Sequence, residues 1–372
     1  MATAVVAQCR SGFEAEAAAD IDAVARHAGV TCHVDARPLA AYVTAVVEDF
    51  DALRWSRALA ASPPIFIRSL FAGSGPHSLT RIAGSTASDR VTPIASALEA
   101  LRRGPAAGVW VEFPDTNEGK ALSYLARALT PRLERELSAR GILADNTSAH
   151  FHAFLSARDT AFVGISDTAT GPAWPMGIPR LRMPHAAPSR STQKLAEALI
   201  AFLGAREASL LREGMRAVDL GAAPGGWSWQ LARRGLVVTA VDNGPLKGDV
   251  AIDPRITHVR SDGFTWRPRQ PVEWLVCDIV QSPRRIATLC AEWIARGDAQ
   301  RAIFNLKLPM RERYAEVMRC KALIGERLAR DRIGFELRFR HLYHDREEVT
   351  AYLARTRTAS RPQRSGAMIP RR

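Results

Sequence analysis

The sequence has little cysteine and no long apolar run, and each shortage excludes a class of protein. Five cysteines are scattered over 372 residues without the spacing of a zinc site or a disulfide framework, so we expect free thiols in a reducing compartment. No apolar run approaches the roughly 20 residues of a membrane-spanning helix, and the first residues lack a basic-then-apolar signal pattern. We therefore expect a soluble, cytoplasmic protein that acts as a monomer, without a membrane or metal partner.

Acidic residues are also in short supply. Asp and Glu number 38 against 51 Lys and Arg, which leaves a net charge of +13. An excess of this size favours a polyanionic partner, with nucleic acid ahead of an anionic membrane surface. An arginine-rich composition inherited from a GC-rich genome is the alternative explanation for the charge alone. Hydrophobic residues make up 47% of the chain, enough for sizeable cores in two or three domains.

The N-terminal part has the element order of a small α+β module. Its predicted strands are residues 2–7, 31–34, 41–47 and 65–68. Its predicted helices are residues 11–27 and 51–61. The order β-α-β-β-α-β is that of a ferredoxin-like module, which we assign to residues 1–72. Glycine, serine, threonine and proline are frequent from Gly73 to Asp89, which predicts a linker or exposed loop.

The middle part, residues 73–170, alternates helices and strands without a catalytic constellation. Its predicted elements are a helix over 91–103, a strand over 109–113, a helix over 120–140 and a hairpin of strands 149–155 and 160–166. His150 and His152 share one face of a strand. Two histidines without further ligands favour ordinary strand residues over a metal site.

A proline-rich stretch, residues 171–188, is the best candidate for a domain boundary. Three cationic or titratable side chains, Arg180, Arg182 and His185, lie in it near Trp174. They could contact RNA or belong to a solvated linker, and the sequence leaves both open. A helix carrying Lys194 follows.

The remainder predicts an α/β domain. Its apolar strands are residues 217–220, 237–241, 257–260, 274–277 and 302–306, typical of parallel strands buried on both faces. Predicted helices at 281–295 and 311–330 separate or follow them, and 335–343 and 349–353 suggest an antiparallel pair at the sheet edge. The tail, residues 355–372, carries six arginines without periodicity and is predicted to be a disordered basic arm.

A glycine-rich turn between the first two of these strands predicts a ligand crevice. Its pattern is Asp219-x-Gly221-x-x-Pro224-Gly225-Gly226. Such a strand-turn-helix-strand unit binds nucleotide-sized ligands at its crest. Dinucleotide-binding dehydrogenases carry Gly-x-Gly-x-x-Gly here, whereas Ala223 replaces the glycine that lets backbone approach a pyrophosphate. Asp219 suits a ligand with a positive amino-acid moiety and no phosphates, and S-adenosylmethionine fits that description.

Other polar side chains end the neighbouring strands. Asp242 is placed to accept ribose hydroxyls, and Asp262 to bond an adenine amino group. A turn or cap is the alternative role for each acid taken singly. Asp278 and Lys307 end the next two strands, and if these strands are neighbours the two side chains emerge about 5 Å apart. Such a pair at the ligand edge indicates a reactive site, with a structural ion pair as the alternative.

Several of these segments resemble known RNA methyltransferases. Asp219 to Trp227, the strand before Asp278 and Asn305 to Pro309 are similar to the RrmJ/FtsJ-type 2′-O-ribose methyltransferases. Four stretches narrow the resemblance, namely Ser189 to Lys194, Val241 to Pro245, Phe304 to Met310 and Tyr343 to Thr350. Together they resemble the RlmM family, the bacterial 23S rRNA cytidine 2′-O-methyltransferases.

The resemblance implies both the domains and the site. It implies a Rossmann-like, S-adenosylmethionine-dependent methyltransferase domain over 189–354, preceded by the α+β ferredoxin-like module and a THUMP RNA-binding module over 73–170. It implies a catalytic tetrad of Lys194, Asp278, Lys307 and Glu348, with Glu347 as the alternative for the last position. It also places on the cofactor Ser191 and the backbone of Ala223, Pro224, Gly225 and Gly226.

The implied reaction is methyl transfer to a ribose 2′-hydroxyl of large-subunit rRNA, with Lys307 as general base. Lysine is ordinarily protonated at neutral pH. Lys194 and burial under RNA favour a neutral Lys307, whereas Asp278 and Glu348 oppose it, and the sequence leaves this tension open. A non-catalytic RNA-binding ribosome-assembly factor is the alternative function, disfavoured by the complete tetrad. A nicotinamide-dependent dehydrogenase disagrees with the glycine pattern.

Overall fold

The computed structural model describes residues 3–79, 89–101, 104–168 and 171–356. The chain divides into two compact units. The first comprises Met1–Pro184, Pro309–Tyr314 and Phe339–Thr350, and the second comprises His185–Leu308, Ala315–Arg338 and Ala351–Arg372. The predicted basic tail lies outside the described residues beyond Thr356. Among the described residues, no helix is both long enough and apolar enough to cross a membrane.

The first unit is built on one seven-stranded sheet in the order β2-β3-β1-β4-β7-β6-β5. The strands are β1 (Thr3–Gln8), β2 (Cys32–Asp35), β3 (Tyr42–Val47), β4 (Ser69–Ser78), β5 (Val109–Glu112), β6 (Ala149–Ala157) and β7 (Thr160–Asp167). The helices are α1 (Glu14–Ala28), α2 (Ala52–Ala61), α3 (Val91–Leu101), α4 (Asn117–Lys120) and α5 (Ser123–Ala139). Antiparallel pairing of β4 with β7 joins the ferredoxin-like part to the middle part in one sheet.

Two predictions around β4 were wrong. Residues 65–67 are not a strand, because Asp20 Oδ2 accepts hydrogen bonds from the backbone N–H groups of Ile65, Phe66 and Ile67, at 2.9, 2.6 and 3.3 Å. Residues from Gly73 to Ser78 are not a loop, since they continue β4. Gly73 is required by close packing of strands rather than by a turn, because a Cβ there would lie 2.0 Å from the Val163 carbonyl oxygen. Residues 80–88 of the predicted loop lie outside the described residues.

His152 is a partnered core residue. Its side chain is fully buried, with Nδ1 2.7 Å from Glu112 Oε2 and Nε2 2.7 Å from Ser166 Oγ. His150 stacks on Trp110 at 4.4 Å between ring centroids. Within the described ranges no three histidine, cysteine or acidic side chains are grouped as metal ligands would be.

The proline-rich stretch packs into the first unit up to Pro184. Met176 and Ile178 are buried, and the Met176 N–H donates to Glu112 Oε1. These buried contacts make the proline-rich stretch up to Pro184 a part of the first unit. Trp174, Arg180, Arg182 and His185 are among the exposed side chains of residues 171–188, and their contact with RNA stays a prediction.

The second unit contains the predicted α/β sheet, in the order β10-β9-β8-β11-β12-β14-β13. The strands of this sheet are β8 (Arg216–Leu220), β9 (Val237–Val241), β10 (Ile256–Val259), β11 (Val272–Cys277), β12 (Ala299–Lys307), β13 (Gly334–Arg340) and β14 (Glu348–Thr356). The last two residues of β13 and the first three of β14 are grouped with the first unit. The helices are α6 (Ser191–Leu203), α7 (Glu207–Leu210), α8 (Gly226–Ala232), α9 (Pro283–Arg296) and α10 (Arg313–Arg330), and the first two residues of α10 are grouped with the first unit.

The strand order places a ligand crevice at the end of β8. Parallel pairs run from β10 through β9, β8 and β11 to β12. The chain leaves β8 toward β9 on one side, and the later strand β11 pairs on the other side. Open parallel sheets bind their ligands at such a reversal, beyond the carboxyl ends of the strands. The expected neighbours β11 and β12 are therefore paired, with the ends of both strands at this edge.

Candidate active site

The glycine turn after β8 is packed from two sides. Gly221 has a φ of +77°, and a Cβ on it would lie 2.7 Å from Ile279 Cγ1. A Cβ on Gly226, the first residue of α8, would lie 2.4 Å from Ser191 Oγ. Side chains at either glycine would therefore displace the segments that face the turn. The turn leaves its backbone close to the crevice, which is what a tightly held nucleoside or amino-acid ligand needs.

Ser191 lies beside this turn because the start of α6 is fastened to α8. Trp227 Nε1 donates to the Ser191 carbonyl at 3.0 Å, and Gln230 Nε2 donates to the Thr192 carbonyl at 3.1 Å. Ser191 Oγ lies 2.7 Å from Ser189 Oγ. The same fastening holds the first turn of the helix that carries Lys194.

Asp219 is enclosed at the end of β8. Its Oδ2 accepts a 2.7 Å hydrogen bond from Ser228 Oγ, while Oδ1 is buried without a hydrogen-bond partner among the described residues. Burial raises the pKa of this carboxyl to about 7, and the negative charge of Asp278 adds to the rise. An acid with an unsatisfied oxygen beside the glycine turn fits a ligand that brings a positive group.

Asp242 and Asp262 each organise a loop at the same edge. Asp242 accepts from the backbone N–H of Ala223 at 3.0 Å through Oδ2, and from Gly244 at 2.7 Å through Oδ1. Asp262 is exposed and accepts from the Phe264 N–H at 2.9 Å. Asp242 and Asp262 therefore each stabilise a turn, which was the alternative role for such an acid. Carboxylate oxygens have further lone pairs, so this role leaves room for a ligand hydroxyl or amino group.

Three predicted catalytic side chains meet beyond β11 and β12. Lys307 Nζ lies 2.7 Å from Asp278 Oδ1, and Lys194 Nζ lies 3.8 Å from Asp278 Oδ2. Each of the three side chains is between 17% and 25% exposed, so the cluster is shielded but reachable. Two cations held on one carboxylate, at the ligand edge of the sheet, form a site that can position a hydroxyl group and exchange its proton.

Asn305 belongs to this cluster and was not singled out from the sequence. Its Nδ2 donates to Asp278 Oδ1 at 3.0 Å, and the residue is fully buried. Asn305 lies two residues before Lys307 on β12, so both side chains point to the same face. A buried amide in an otherwise apolar strand was the signal that could have found it. Its hydrogen bond fixes the orientation of the Asp278 carboxylate.

Glu347 and Glu348 have different surroundings in the first unit. Glu348, the first residue of β14, is buried. Glu347 is exposed and pairs with Arg313 at 3.2 Å. Glu347 lies in the bend that leads into β14, so exposure alone distinguishes it from the buried Glu348.

The chain is similar to known proteins over most of its length. Models of three families match the chain: the RlmM ferredoxin-like domain at residues 1–71, the N-terminal domain of ribosomal RNA large subunit methyltransferase M at 89–167, and the FtsJ-like methyltransferase at 187–323. The ribosomal RNA large subunit methyltransferase M of Thauera aminoaromatica is 45% identical over 359 residues, 93% of this chain and 94% of that protein. The chain belongs to the ribosomal RNA large subunit methyltransferase M family.

Further relatives agree with that membership. The methyltransferase M of Aromatoleum aromaticum is 47% identical over 363 residues, 95% of each chain. A solved structure of Aeropyrum pernix fibrillarin with bound S-adenosylmethionine is 16% identical, covers 54% of this chain and 81% of that one, and has a TM-score of 0.34.

Membership in the methyltransferase M family confirms four predictions. They are the family itself, the α/β methyltransferase fold class, the enzyme class of a large-subunit rRNA methyltransferase, and S-adenosylmethionine as the cofactor. The glycine turn and the unsatisfied Asp219 oxygen fit that cofactor. The assignment of single residues to cofactor and substrate stays a prediction.

Proposed function

We propose that this protein transfers the methyl group of S-adenosylmethionine to the ribose 2′-hydroxyl of a cytidine in 23S rRNA. The cluster of Lys194, Asp278 and Lys307 is the observation that carries the proposal. Methyl transfer to a hydroxyl needs a group that takes the hydroxyl proton and a support that holds the oxygen in line. Lys307 Nζ, held 2.7 Å from Asp278, is the candidate for the first task.

The cofactor would be held around the glycine turn. Asp219 would face its ammonium group, Asp242 its ribose hydroxyls and Asp262 its adenine amino group. Further contacts would come from Ser191, Gly221, Asp278 and the backbone of Ala223, Pro224, Gly225 and Gly226. When bound, S-adenosylmethionine supplies a methyl group that its sulfonium charge has already activated, so the protein's task is to position and to deprotonate.

Lys307 would accept the 2′-hydroxyl proton as the oxygen–methyl bond forms. Lys194 lies on the other oxygen of the Asp278 carboxylate, and its charge disfavours a second ammonium nearby, whereas Asp278, 2.7 Å from Lys307, favours one. Asp278 and Asn305 hold Lys307 and the carboxylate in a fixed arrangement, which serves orientation. Water exclusion by bound RNA would strengthen these electrostatic effects.

Glu348 would complete the tetrad. Its burial at the start of β14 supports this choice, while the exposed Glu347 is engaged by Arg313. A second carboxylate would help to hold the two lysines of the cluster in position.

The first prediction tests the base. Lys307→Ala removes the proton acceptor, so methylation of 23S rRNA should fall by at least about 100-fold, whereas cofactor affinity measured by calorimetry stays within a factor of about two to three. The exposed Lys321→Ala in α10 removes the same charge and should leave turnover unchanged. Wild-type turnover by Lys307→Ala would refute the assignment.

The alternative function that the sequence left open, a non-catalytic RNA-binding assembly factor, disagrees with membership in the methyltransferase M family. It predicts ribosome-assembly defects that Lys307→Ala rescues as well as the wild type does. Mapping 2′-O-methylation on rRNA from a strain without this protein decides between the two functions. Loss of one cytidine methylation, restored by wild type and not by Lys307→Ala, is the result expected for the enzyme.

A further inference from the structure

The stretch from Phe339 to Thr350 is part of the first unit, together with the N-terminal residues. Its backbone is tied to them at His341, whose N–H donates to the Ile65 carbonyl at 2.7 Å. The His341 ring packs 4.2 Å from the Phe13 ring, and 5.7 Å from the Phe66 ring. The chain entering the Glu347–Glu348 pair is thus anchored in the core of the first unit.

The loop between His341 and Thr350 is closed by hydrogen bonds to one carboxylate and is attached by a further hydrogen bond to the segment after β1. Asp345 Oδ2 accepts from the Leu342 N–H at 3.0 Å and from Thr350 Oγ1 at 2.9 Å, so one carboxylate joins the two ends of the loop. Arg10 Nη1, from the end of β1, donates to the Asp345 carbonyl at 3.0 Å. Both glutamates lie inside this closed loop.

Arg313 makes the remaining tie. Its Nη1 donates to the Gly12 carbonyl at 2.8 Å, and its guanidinium lies 4.2 Å over the Phe13 ring. Its Nη2 lies 3.2 Å from Glu347 Oε2. One side chain therefore links the start of α1 to the residue immediately before Glu348.

Two consecutive glutamates make the register of β14 vulnerable. A slip by one residue exchanges inward and outward side chains along the whole strand, and here it would put one glutamate where the other belongs. In the slipped register a glutamate carboxylate would still occupy the position of Glu348, so charge alone does not disfavour that register. Arg313 removes this ambiguity, because its guanidinium is held at the start of α1 by Gly12, Phe13 and Glu16 and pairs from there with Glu347.

We propose that Arg313 is a positioning residue for catalysis: by holding Glu347 outward against the start of α1, it sets the register that turns Glu348 inward. The proposal rests on the proposed role of Glu348. It gives the N-terminal module a second task beside RNA binding, since Gly12, Phe13 and Arg10 belong to that module and hold the loop of the catalytic acid.

The test is a double-mutant cycle in the full-length enzyme. Arg313→Ala and Glu347→Ala should each lower kcat by between about 10-fold and 100-fold, because a misplaced catalytic group costs that much. The double variant should lose no more than the worse single variant, since both changes break one tie. KM for rRNA and the Kd for S-adenosylmethionine should stay near the wild-type values. Arg313→Lys should be intermediate, since an ammonium cannot reach Gly12 and Glu347 at once.

Arg140→Ala is the matched control. Arg140 caps the end of α5 in the same unit and is 19% exposed against 16% for Arg313. It pairs with two acids, Glu99 and Glu136, as Arg313 pairs with Glu16 and Glu347. Arg140→Ala removes the same charge as Arg313→Ala and leaves the loop between His341 and Thr350 untouched. A kcat for Arg313→Ala equal to that of Arg140→Ala, or an effect confined to KM for rRNA, would overturn the proposal.

Glu347 is exposed, so Glu347→Ala should fold even if Arg313→Ala does not. The kcat of Glu347→Ala then tests the proposal without the Arg313 variant. Glu348→Gln separates this inference from the proposed function. If Glu348→Gln retains kcat, the tetrad assignment fails. If Glu348→Gln loses kcat while Glu347→Ala retains it, the tetrad stands and the positioning role of Arg313 fails.

Discussion

Buried titratable side chains show how strongly single residues depend on their surroundings in this protein. His341 donates from Nε2 to the Arg346 carbonyl at 2.9 Å inside the first unit. Burial lowers its pKa to about 3, and the nearby charges of Arg68, Arg10 and Arg313 add to the effect. Asp20 shows the opposite shift: burial raises its pKa to about 7, although three backbone N–H groups favour the ionised form.

His341 gives a prediction on stability and pH. The folded protein keeps His341 neutral down to about pH 3, whereas the unfolded chain binds the proton near pH 6.5, so the contribution of His341 to stability is lost as the pH falls below 6.5. Between pH 7.5 and pH 5 the loss is about 2 kcal/mol. The difference in free energy of unfolding between wild type and His341→Gln should shrink by that amount.

Urea unfolding at the two pH values measures this difference, and the subtraction cancels the opposite contribution of Asp20. His33→Gln, at an exposed histidine of the same unit, serves as the control and should show no such change. A pH-independent difference for His341→Gln would show that His341 titrates alike in both states.

At the scale of secondary-structure elements, glycines mark where helices must meet other backbone closely. Gly226 begins α8 against the start of α6, with Ser191 Oγ 2.4 Å and the Thr192 backbone nitrogen 3.1 Å from a Cβ built there. Gly325 lies inside α10, and the nearest atom to its Cβ, Phe335 Cζ, is 3.9 Å away. One glycine is required by packing and the other is not.

Gly226→Ala should weaken cofactor binding. Overpacking of this kind costs about 1 to 3 kcal/mol, and displacement of α6 moves Ser191 away from the turn. We expect the Kd for S-adenosylmethionine to rise by at least about fivefold in calorimetry. An unchanged Kd in a correctly folded Gly226→Ala variant would show that the contact between α6 and α8 does not shape the cofactor site.

Gly325→Ala is the same substitution where space is available, and it should stabilise the protein. Alanine favours the helix interior over glycine by about 0.5 to 1 kcal/mol. Denaturant unfolding should show a gain of this size in the second unit with unchanged methylation activity. A loss of stability would mean that α10 and β13 pack more tightly at this point than 3.9 Å implies.

At the scale of the whole molecule, the charge of +13 is the property that matches the substrate. rRNA binding by such a protein releases counterions, so affinity should fall steeply with salt. Five of the six arginines of the predicted tail follow Thr356, where β14 ends. Their distance from the tetrad in sequence suits a role in affinity rather than in chemistry.

Truncation after Thr356 tests that role. Each arginine that contacts a phosphate contributes about 0.7 to the slope of log affinity against log salt, so the slope should decrease by up to about 3.5. The methylated nucleotide and kcat at saturating rRNA should not change. A full-length variant with the five arginines replaced by lysine should keep the wild-type slope. An unchanged slope after truncation would exclude the tail from binding.

Much of the second unit could be predicted because its signals are local. β9 was placed at its observed bounds, and β8, β10, β11 and β12 within a few residues, because parallel strands buried on both faces are continuous apolar runs between turn residues. Asp278 and Lys307 could be paired in advance, since adjacent parallel strands end at one edge. Asn305 was not singled out, because an amide in an apolar strand marks a polar residue but does not show that it bonds to Asp278.

By itself, the sequence determined the α/β class, the ligand edge, the cofactor type and the polyanionic partner. These follow from periodicity, strand-end residues and net charge, which are properties of neighbouring or summed residues. Only the tertiary structure decided that residues 65–67 bond to Asp20 instead of forming a strand, that β4 pairs with β7 in one continuous sheet, and that Glu347 rather than Glu348 is held by Arg313. Each of these depends on groups distant in sequence, and no local pattern encodes which distant group a backbone N–H or a carboxylate will meet.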